Sequence, residues 1–121
     1  LSMGSMQTSI VTMKHPDMFG YAGVFSGFVG PFNKANAENS YIQLLDDREK
    51  FTQSFRVFFR ACGDEDLVAL ERFEADRALF EEKGFAPAEN SVHVEKMYPG
   101  EHEWNVWRMC LRDFAQYLFR E

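Results

Sequence analysis

Residue types that act together in nucleophilic catalysis occur at three places along this chain. The chain opens with LSMG, in which Ser2 and Gly4 form the S-x-G half of a G-x-S-x-G motif, the sharp turn that exposes a nucleophilic serine. Three acids, residues 64–66, follow the apolar run FRVFFRACG, and His102 follows SVHVEKMYPGE. A histidine that contacts both a carboxylate and a serine can activate the serine hydroxyl. Because S-x-G alone is common by chance, the hypothesis depends on the elements that carry the three groups.

Short apolar runs alternate with helical patterns along the chain. The pattern predicts strands at 21–28, 55–63 and 91–100, helices at 3–14, 66–84 and 104–119, and a weakly helical insert at about 34–53. Strands that alternate with helices indicate an α/β fold with a parallel sheet and flanking helices. At 121 residues the chain is at most one small domain.

Apolar residues at helical spacing predict which face of each helix packs on the sheet. The expected buried residues are Met3, Met6, Ile10, Val11 and Met13 in the first helix, Leu67, Leu70, Phe73, Ala78 and Phe80 in the second, and Trp107, Leu111, Phe114 and Leu118 in the third. The two cysteines, Cys62 and Cys110, are expected to be small buried residues, and no disulfide is indicated.

The composition narrows the classes of partner and ligand. The net charge is −6 and the chain has no basic run, which argues against nucleic acid and against an anionic membrane surface as partners. No apolar run approaches the ~20 residues that cross a bilayer. The sequence contains no metal-ligand cluster, P-loop or dinucleotide fingerprint, so no metal and no cofactor are expected.

The predicted sheet would bring the three chemical groups together. Sites on parallel sheets form beyond the carboxyl ends of the strands. The acids follow the second strand, His102 follows the third, and Ser2 stands before the first helix, where another strand would end. The chain order of serine, acid and histidine is that of the α/β-hydrolase triad.

The segments LSMG, ACGDEDL and GEHEWNVWRMCLRDFAQYLF resemble the esterase-D-like branch of the α/β hydrolases. That branch includes feruloyl and acetyl xylan esterases of carbohydrate esterase family one and enterochelin esterases. The resemblance runs from Leu1 to near the C-terminus. It implies that residues 1–121 form the C-terminal part of a single α/β-hydrolase catalytic domain, with an incomplete sheet. Two positions depart from the family pattern: no glycine precedes Leu1, and Ser5 stands where a second glycine is common.

The resemblance implies a role for each chemical group. Ser2 matches the nucleophile, Asp66 the acid and His102 the general base. The Met3 amide, at a helix N-terminus, would donate a hydrogen bond to the oxyanion. The sharp turn that carries the nucleophile is called the nucleophile elbow. Glycine is expected at position 4 because this elbow leaves little room for a side chain between strand and helix. A helix N-cap is the alternative role for Ser2.

Other positions have competing interpretations. Asp64 and Glu65 are alternatives to Asp66, although carboxylates are favoured at a helix start in any case. His15, at a helix end, and His93, in a strand, are expected to be structural.

Aromatic residues near the expected site are candidates for substrate contact. Trp104 follows His102 closely and would brace it or form a substrate-binding wall, whereas Trp107 is expected to pack the helix. The insert after the first strand, with Phe28, Phe32 and Asn33, lies where substrate loops often occur.

The resemblance implies a serine carboxylic-ester hydrolase that removes feruloyl or acetyl groups from plant polysaccharide. The alternatives are a related acyl hydrolase of thioesters, peptides or siderophore esters, and a truncated, catalytically incomplete fragment. The fragment hypothesis follows because the second oxyanion donor normally comes from an early strand–helix loop.

Two further expectations follow from the family and the composition. The 13 phenylalanines imply much apolar surface for so short a chain, so we expect self-association or pairing with a missing N-terminal half. A secreted or periplasmic location is suggested by the resemblance alone.

Overall fold

The described part of the chain folds as a three-stranded parallel sheet with helices on both faces. The computed structural model describes residues 1–30 and 37–120, apart from the side chains of residues 37–40. The helices are α1 (Met3–Lys14), α2 (Arg48–Ser54), α3 (Leu70–Glu82) and α4 (Trp104–Ala115), the strands are β1 (Tyr21–Phe25), β2 (Val57–Gly63) and β3 (His93–Tyr98), and a 3₁₀ helix covers Ala37–Asp46. The strand order is β1-β2-β3 and both pairs are parallel. The prediction of an α/β fold with an incomplete parallel sheet is confirmed.

Each face of the sheet has its own apolar core, because neighbouring residues of a strand point to opposite faces. Val24 of β1 belongs to a core that includes residues of α1, α2 and α3. Phe59 and Ala61 of β2 belong to the core under α4. On that face, the lack of a side chain at Gly23 lets Phe114 of α4 lie against β1, since a Cβ would come within 2.7 Å of the ring.

Several elements are shorter than predicted. β1 ends at Phe25 rather than at residue 28, because Ser26 has φ +50° and Gly27 lies against α1. α3 begins at Leu70 rather than at residue 66, because the Asp66 side chain accepts hydrogen bonds from the turn before the helix. β2, β3 and α4 also lie within their predicted ranges.

The face that α1 buries matches the predicted one only in part: Met13 is buried and Ile10 packs against the core. The helix places Ser5 and Ser9 against the sheet, whereas Met3 and Val11 are 68% and 47% exposed. Small side chains let the helix lie close to β1, and the Ser5 hydroxyl donates to the carbonyl of Phe25 at 2.6 Å. Two apolar side chains of α1, Met3 and Val11, are therefore left at the surface of the described chain.

The predicted faces of α3 and α4 are also confirmed only in part: Phe73 and Phe80 of α3 are buried as predicted. Leu67 and Ala78, both expected to be buried, are exposed, and α3 buries Asp76 instead. On α4, Cys110 is buried and Leu111 is exposed.

Among the described residues, no helix is both long and apolar enough to cross a membrane.

Cys62 on β2 and Cys110 on α4 are buried, as predicted, and both are free thiols. Burial raises the pKa of each thiol to about 12. Both side chains therefore remain neutral thiols at physiological pH, packed in the interior of the fold.

Candidate active site

A close contact between two loops holds the ends of β2 and β3 together. A Cβ at Gly63, the last residue of β2, would lie 2.4 Å from the carbonyl oxygen of Gly100, so the contact requires glycine. The Glu65 N–H donates to the same oxygen at 2.8 Å, and the Gly100 N–H donates to Asp64 Oδ1 at 3.0 Å. Gly100 has φ +142°, a conformation that favours glycine. The segments that follow these glycines are therefore fixed side by side.

Asp66, on the loop after β2, is fully buried and accepts hydrogen bonds on both oxygens. Oδ1 accepts from the N–H groups of Val68 at 3.0 Å and Ala69 at 2.9 Å. Oδ2 lies 2.8 Å from Nδ1 of His102 and 3.8 Å from Sγ of Cys62. These contacts fix the orientation of the carboxylate toward the imidazole.

Ser2 stands directly before α1 in an unusual backbone conformation. Its φ is +53°, in a region that residues other than glycine rarely adopt. Its N–H donates to the carbonyl of Phe25, at the end of β1, at 2.8 Å. The hydroxyl makes no capping hydrogen bond to α1 and lies 2.9 Å from Nε2 of His102. Ser2 thus occupies the N-cap position of α1, but its side chain does not cap the helix.

Ser2, His102 and Asp66 form a continuous series of hydrogen bonds. Because a carboxylate only accepts, Nδ1–H of His102 donates to Asp66, and Nε2 is left to accept from the Ser2 hydroxyl. The His102 side chain is 22% exposed and that of Asp66 is 0% exposed. The imidazole is thus reachable from solvent while the carboxylate is shielded, an arrangement suited to removing a proton from a serine hydroxyl.

The other candidate acids and histidines lie outside this series. Asp64 and Glu65 are exposed, and His15 is exposed at the C-cap of α1. His93 is buried in β3, where its Nδ1–H donates to the carbonyl of Phe85 at 2.7 Å and burial lowers its pKa to about 4. The described residues contain no group of three or more histidine, cysteine or acidic side chains placed to hold a metal ion.

The backbone amide of Met3 lies at the first position of α1, directly after Ser2. As the first helical residue, it has no carbonyl acceptor within its own helix. The next two amides donate hydrogen bonds at 2.9 Å, Gly4 to the carbonyl oxygen of Leu1 and Ser5 to that of Ser2. A free amide at a helix N-terminus is suited to stabilise a developing negative charge.

The tight packing expected at Gly4 occurs elsewhere. A Cβ at Gly4 would meet no atom of the described residues within 4 Å, so these residues do not produce the predicted crowding there. The close approach is at Gly27, where a Cβ would lie 2.4 Å from that of Ser5. In this chain the elbow turn is therefore packed from the β1 side.

Two tryptophans lie beside His102. The Trp107 ring meets the imidazole edge-to-face, with the ring centroids 5.1 Å apart and the planes at 89°. The Trp104 ring lies 5.1 Å from that of Trp107 and is 71% exposed. Trp107, expected only to pack the helix, is thus the ring that contacts His102, while Trp104 presents an apolar surface to solvent. The two tryptophans are three residues apart, a spacing that places two side chains on one face of a helix. This spacing was the sequence signal that the two rings lie together.

The sequence pattern does not mark Cys62 or Gly100 as site residues. The available signals were weak: a cysteine–glycine pair shortly before the acid, and a glycine two residues before the histidine.

Of the insert residues, Phe28 lies under the guanidinium of Arg72. Phe32 and Asn33 lie outside the described residues.

Comparison with known proteins agrees with the resemblance in the three segments. Residues 1–117 match the model of the esterase family, described as "Putative esterase". Over 120 residues the chain is 31% identical to a protein of Xylanibacter ruminicola named "Endo-1,4-beta-xylanase/feruloyl esterase". That match covers 99% of this chain and 14% of the relative, so the chain spans a small part of that protein's length. The chain belongs to the esterase family.

Proposed function

We propose that this chain carries the catalytic triad of a serine carboxylic-ester hydrolase that works through an acyl-enzyme. The observation that supports the proposal most directly is the series of hydrogen bonds that joins Ser2 to His102 at 2.9 Å and His102 to Asp66 at 2.8 Å. The positive φ of Ser2 supports it further, since a nucleophile elbow holds its serine in a strained turn.

In the proposed reaction, Nε2 of His102 takes the proton from Ser2 while Oγ attacks the ester carbonyl carbon. The carbonyl oxygen becomes an oxyanion, to which the Met3 N–H would donate. The C–O bond to the alcohol then breaks, and His102 returns the proton to the departing oxygen. A water molecule, activated in the same way, releases the acid and restores the Ser2 hydroxyl.

Asp66 would act through His102 rather than on the substrate. Its carboxylate receives the Nδ1–H, which keeps Nε2 free for the serine, and its negative charge stabilises the imidazolium that forms during the reaction. Complete burial strengthens this interaction, because little water screens it.

Feruloyl or acetyl groups on plant polysaccharide are the substrates that we propose. The support is the name of the Xylanibacter relative, a xylanase and feruloyl esterase, together with the exposed Trp104 ring beside Trp107. An exposed aromatic ring offers a stacking surface for a phenolic acyl group or a sugar. Related acyl hydrolysis of thioesters, peptides or siderophore esters uses the same triad and is the alternative.

The test uses the natural protein that contains this chain. It should hydrolyse 4-nitrophenyl acetate and methyl ferulate, and a fluorophosphonate should label Ser2. Ser2→Ala and His102→Ala should each lower kcat by ~10⁴- to 10⁶-fold. The matched controls are Ser54→Ala and His15→Ala, since both residues lie outside the triad and should leave activity unchanged. Labelling that persists in Ser2→Ala would refute the assignment, and hydrolysis of 4-nitrophenyl acetate without methyl ferulate would refute the feruloyl substrate.

A further inference from the structure

The loop that follows β1, Ser26–Gly30, is held by side chains that are distant in sequence. The N–H groups of Val29 and Gly30 donate to the two oxygens of Asp76, on α3, at 2.5 Å and 3.0 Å. The Tyr41 hydroxyl, on the 3₁₀ helix, donates to the carbonyl of Val29 at 2.7 Å. Three consecutive backbone groups of the loop are thus bound by two side chains.

Asp76 is an uncommon residue to find at such a position, because it is only 4% exposed. Burial raises the pKa of its carboxyl, while the nearby guanidinium of Arg60 and the two loop amides act in the opposite direction. Arg60 is itself buried on β2, and among the described residues Arg72 and Tyr41 also interact with the Asp76 charge. A buried carboxylate is a poor source of stability, since desolvation offsets its attractions. The role of the Asp76 side chain is therefore to fix the position of the loop.

The same loop lies against the turn that carries Ser2. The Ser2 N–H donates to the carbonyl of Phe25, immediately before the loop. A Cβ at Gly27 would lie 2.7 Å from the carbonyl oxygen of Ser2 and 2.4 Å from Cβ of Ser5. The two peptide groups of Ser2 therefore both contact the end of β1 and its loop. A residue with a strained φ persists only where its surroundings hold it.

Resting on the proposed function, we propose that Asp76 and Tyr41 are positioning residues for Ser2, acting through the Ser26–Gly30 loop. Their hydrogen bonds fix Val29 and Gly30, the loop fixes Gly27, and Gly27 together with Phe25 holds the Ser2 backbone at φ +53°. Neither side chain contacts Ser2 directly. Their contribution is to keep the Ser2 hydroxyl at the distance and angle that His102 requires.

The test compares Asp76→Asn and Tyr41→Phe in the natural protein that contains this chain. Asparagine keeps the size of the side chain but offers a single oxygen to two amides. Phenylalanine removes one hydroxyl and introduces no buried charge, so Tyr41→Phe remains informative if Asp76→Asn does not fold. Each variant should lower kcat and the rate of fluorophosphonate labelling by roughly 10-fold, the effect of one lost hydrogen bond, with KM within about twofold of wild type. The Val29 and Gly30 amides should exchange hydrogen faster in Asp76→Asn.

The matched control is Val94→Ala, a buried substitution on β3 in the core under α4, which is separate from the core that includes Val29 and Tyr41. It should lower stability and leave kcat unchanged, because it lies in the other core. If the wild-type protein is active and its variants keep full kcat, or change only in KM, the positioning role is overturned. A control that loses kcat to the same extent also overturns it. A wild-type protein that neither reacts with fluorophosphonate nor hydrolyses esters instead contradicts the proposed function.

Discussion

The backbone of Gly63 lies against the carbonyl of Gly100, so closely that a Cβ on Gly63 would be 2.4 Å from the oxygen. This contact joins the loops after β2 and β3 directly at the point where each leaves the sheet. Asp66 and His102 follow on those two loops, and their 2.8 Å hydrogen bond depends on the loops keeping this separation. A backbone-to-backbone contact thus sets the distance between two side chains.

Gly63→Ala should therefore impair the site without changing any of its side chains. The added methyl group forces the Gly100 loop outward and moves His102 away from Asp66 and Ser2. Misplacement by about 1 Å lowers turnover by up to ~100-fold, which kcat on 4-nitrophenyl acetate would measure. Gly20→Ala is the control, because a Cβ there meets no atom of the described residues within 4 Å. Equal activity of the two variants would contradict this role of the loop contact.

Replacing Asp66 with asparagine should reverse the hydrogen bonding of His102. An amide can donate to Nδ1, which would leave the proton on Nε2, where it cannot accept from Ser2. We expect kcat to fall by ~10⁴-fold, with little change in KM. Asp64→Asn provides the comparison: its carboxylate contacts the Gly100 amide and should affect kcat far less. If the two variants are equally impaired, Asp66 is not the acid.

The three candidate groups were predictable from the sequence because sheet topology places them. Parallel strands end at one edge, so residues that follow β2 and β3 meet there, whatever the exact strand boundaries. The choice of Asp66 over Asp64 came from the family resemblance alone. The structure separates the two by their contacts: Asp66 is buried beside His102, and Asp64 is exposed.

The supporting contacts were not predictable from pattern. Asp76 interrupts the apolar face of α3 and would be placed at the surface by hydrophobic spacing, but its partners Val29 and Gly30 are 47 and 46 residues away. Ser5 and Ser9 were missed on α1 for a related reason. A helix that approaches a strand closely buries small polar residues, and hydrophobic periodicity does not detect them.

The buried His93 should make the stability of the protein depend on pH. Burial lowers its pKa to about 4, whereas an unfolded histidine titrates near 6.5, so between these values the unfolded state binds more protons. Stability therefore falls as pH falls through this range. We expect Tm to drop by on the order of 10 °C between pH 6.5 and 4 from this group.

Thermal unfolding of His93→Gln tests this pH dependence. Glutamine can still donate to the Phe85 carbonyl but does not titrate, so the variant should show a shallower decline of Tm below pH 6.5. His15→Gln, which replaces an exposed histidine, should keep the slope of the wild type. A slope that is the same in wild type and His93→Gln would show that other groups dominate.

We propose that this chain is part of a longer protein, as its 14% share of the Xylanibacter relative suggests, and that preceding residues complete the oxyanion site. We expect a second donor there beside the Met3 amide, as in the strand–helix loop of other α/β hydrolases. Loss of one donor costs ~100- to 1,000-fold in kcat. The isolated 121-residue chain should therefore react with a fluorophosphonate and hydrolyse esters more slowly than the full-length protein. Equal kcat for the two would contradict this expectation.

The isolated chain should also associate. β1 lies at the edge of the described sheet, and YAGVFSGF contains neither charge nor proline, the usual protection of an edge strand. The outer face of α1 adds exposed Met3 and Val11. We expect a second copy, or the remainder of the full-length protein, to pair with this edge and cover that face. Light scattering should show a mass above that of one chain, lowered by Val11→Lys and unchanged by Leu111→Lys on α4. A monomer that resists dilution, with rapid hydrogen exchange in β1, would contradict the pairing.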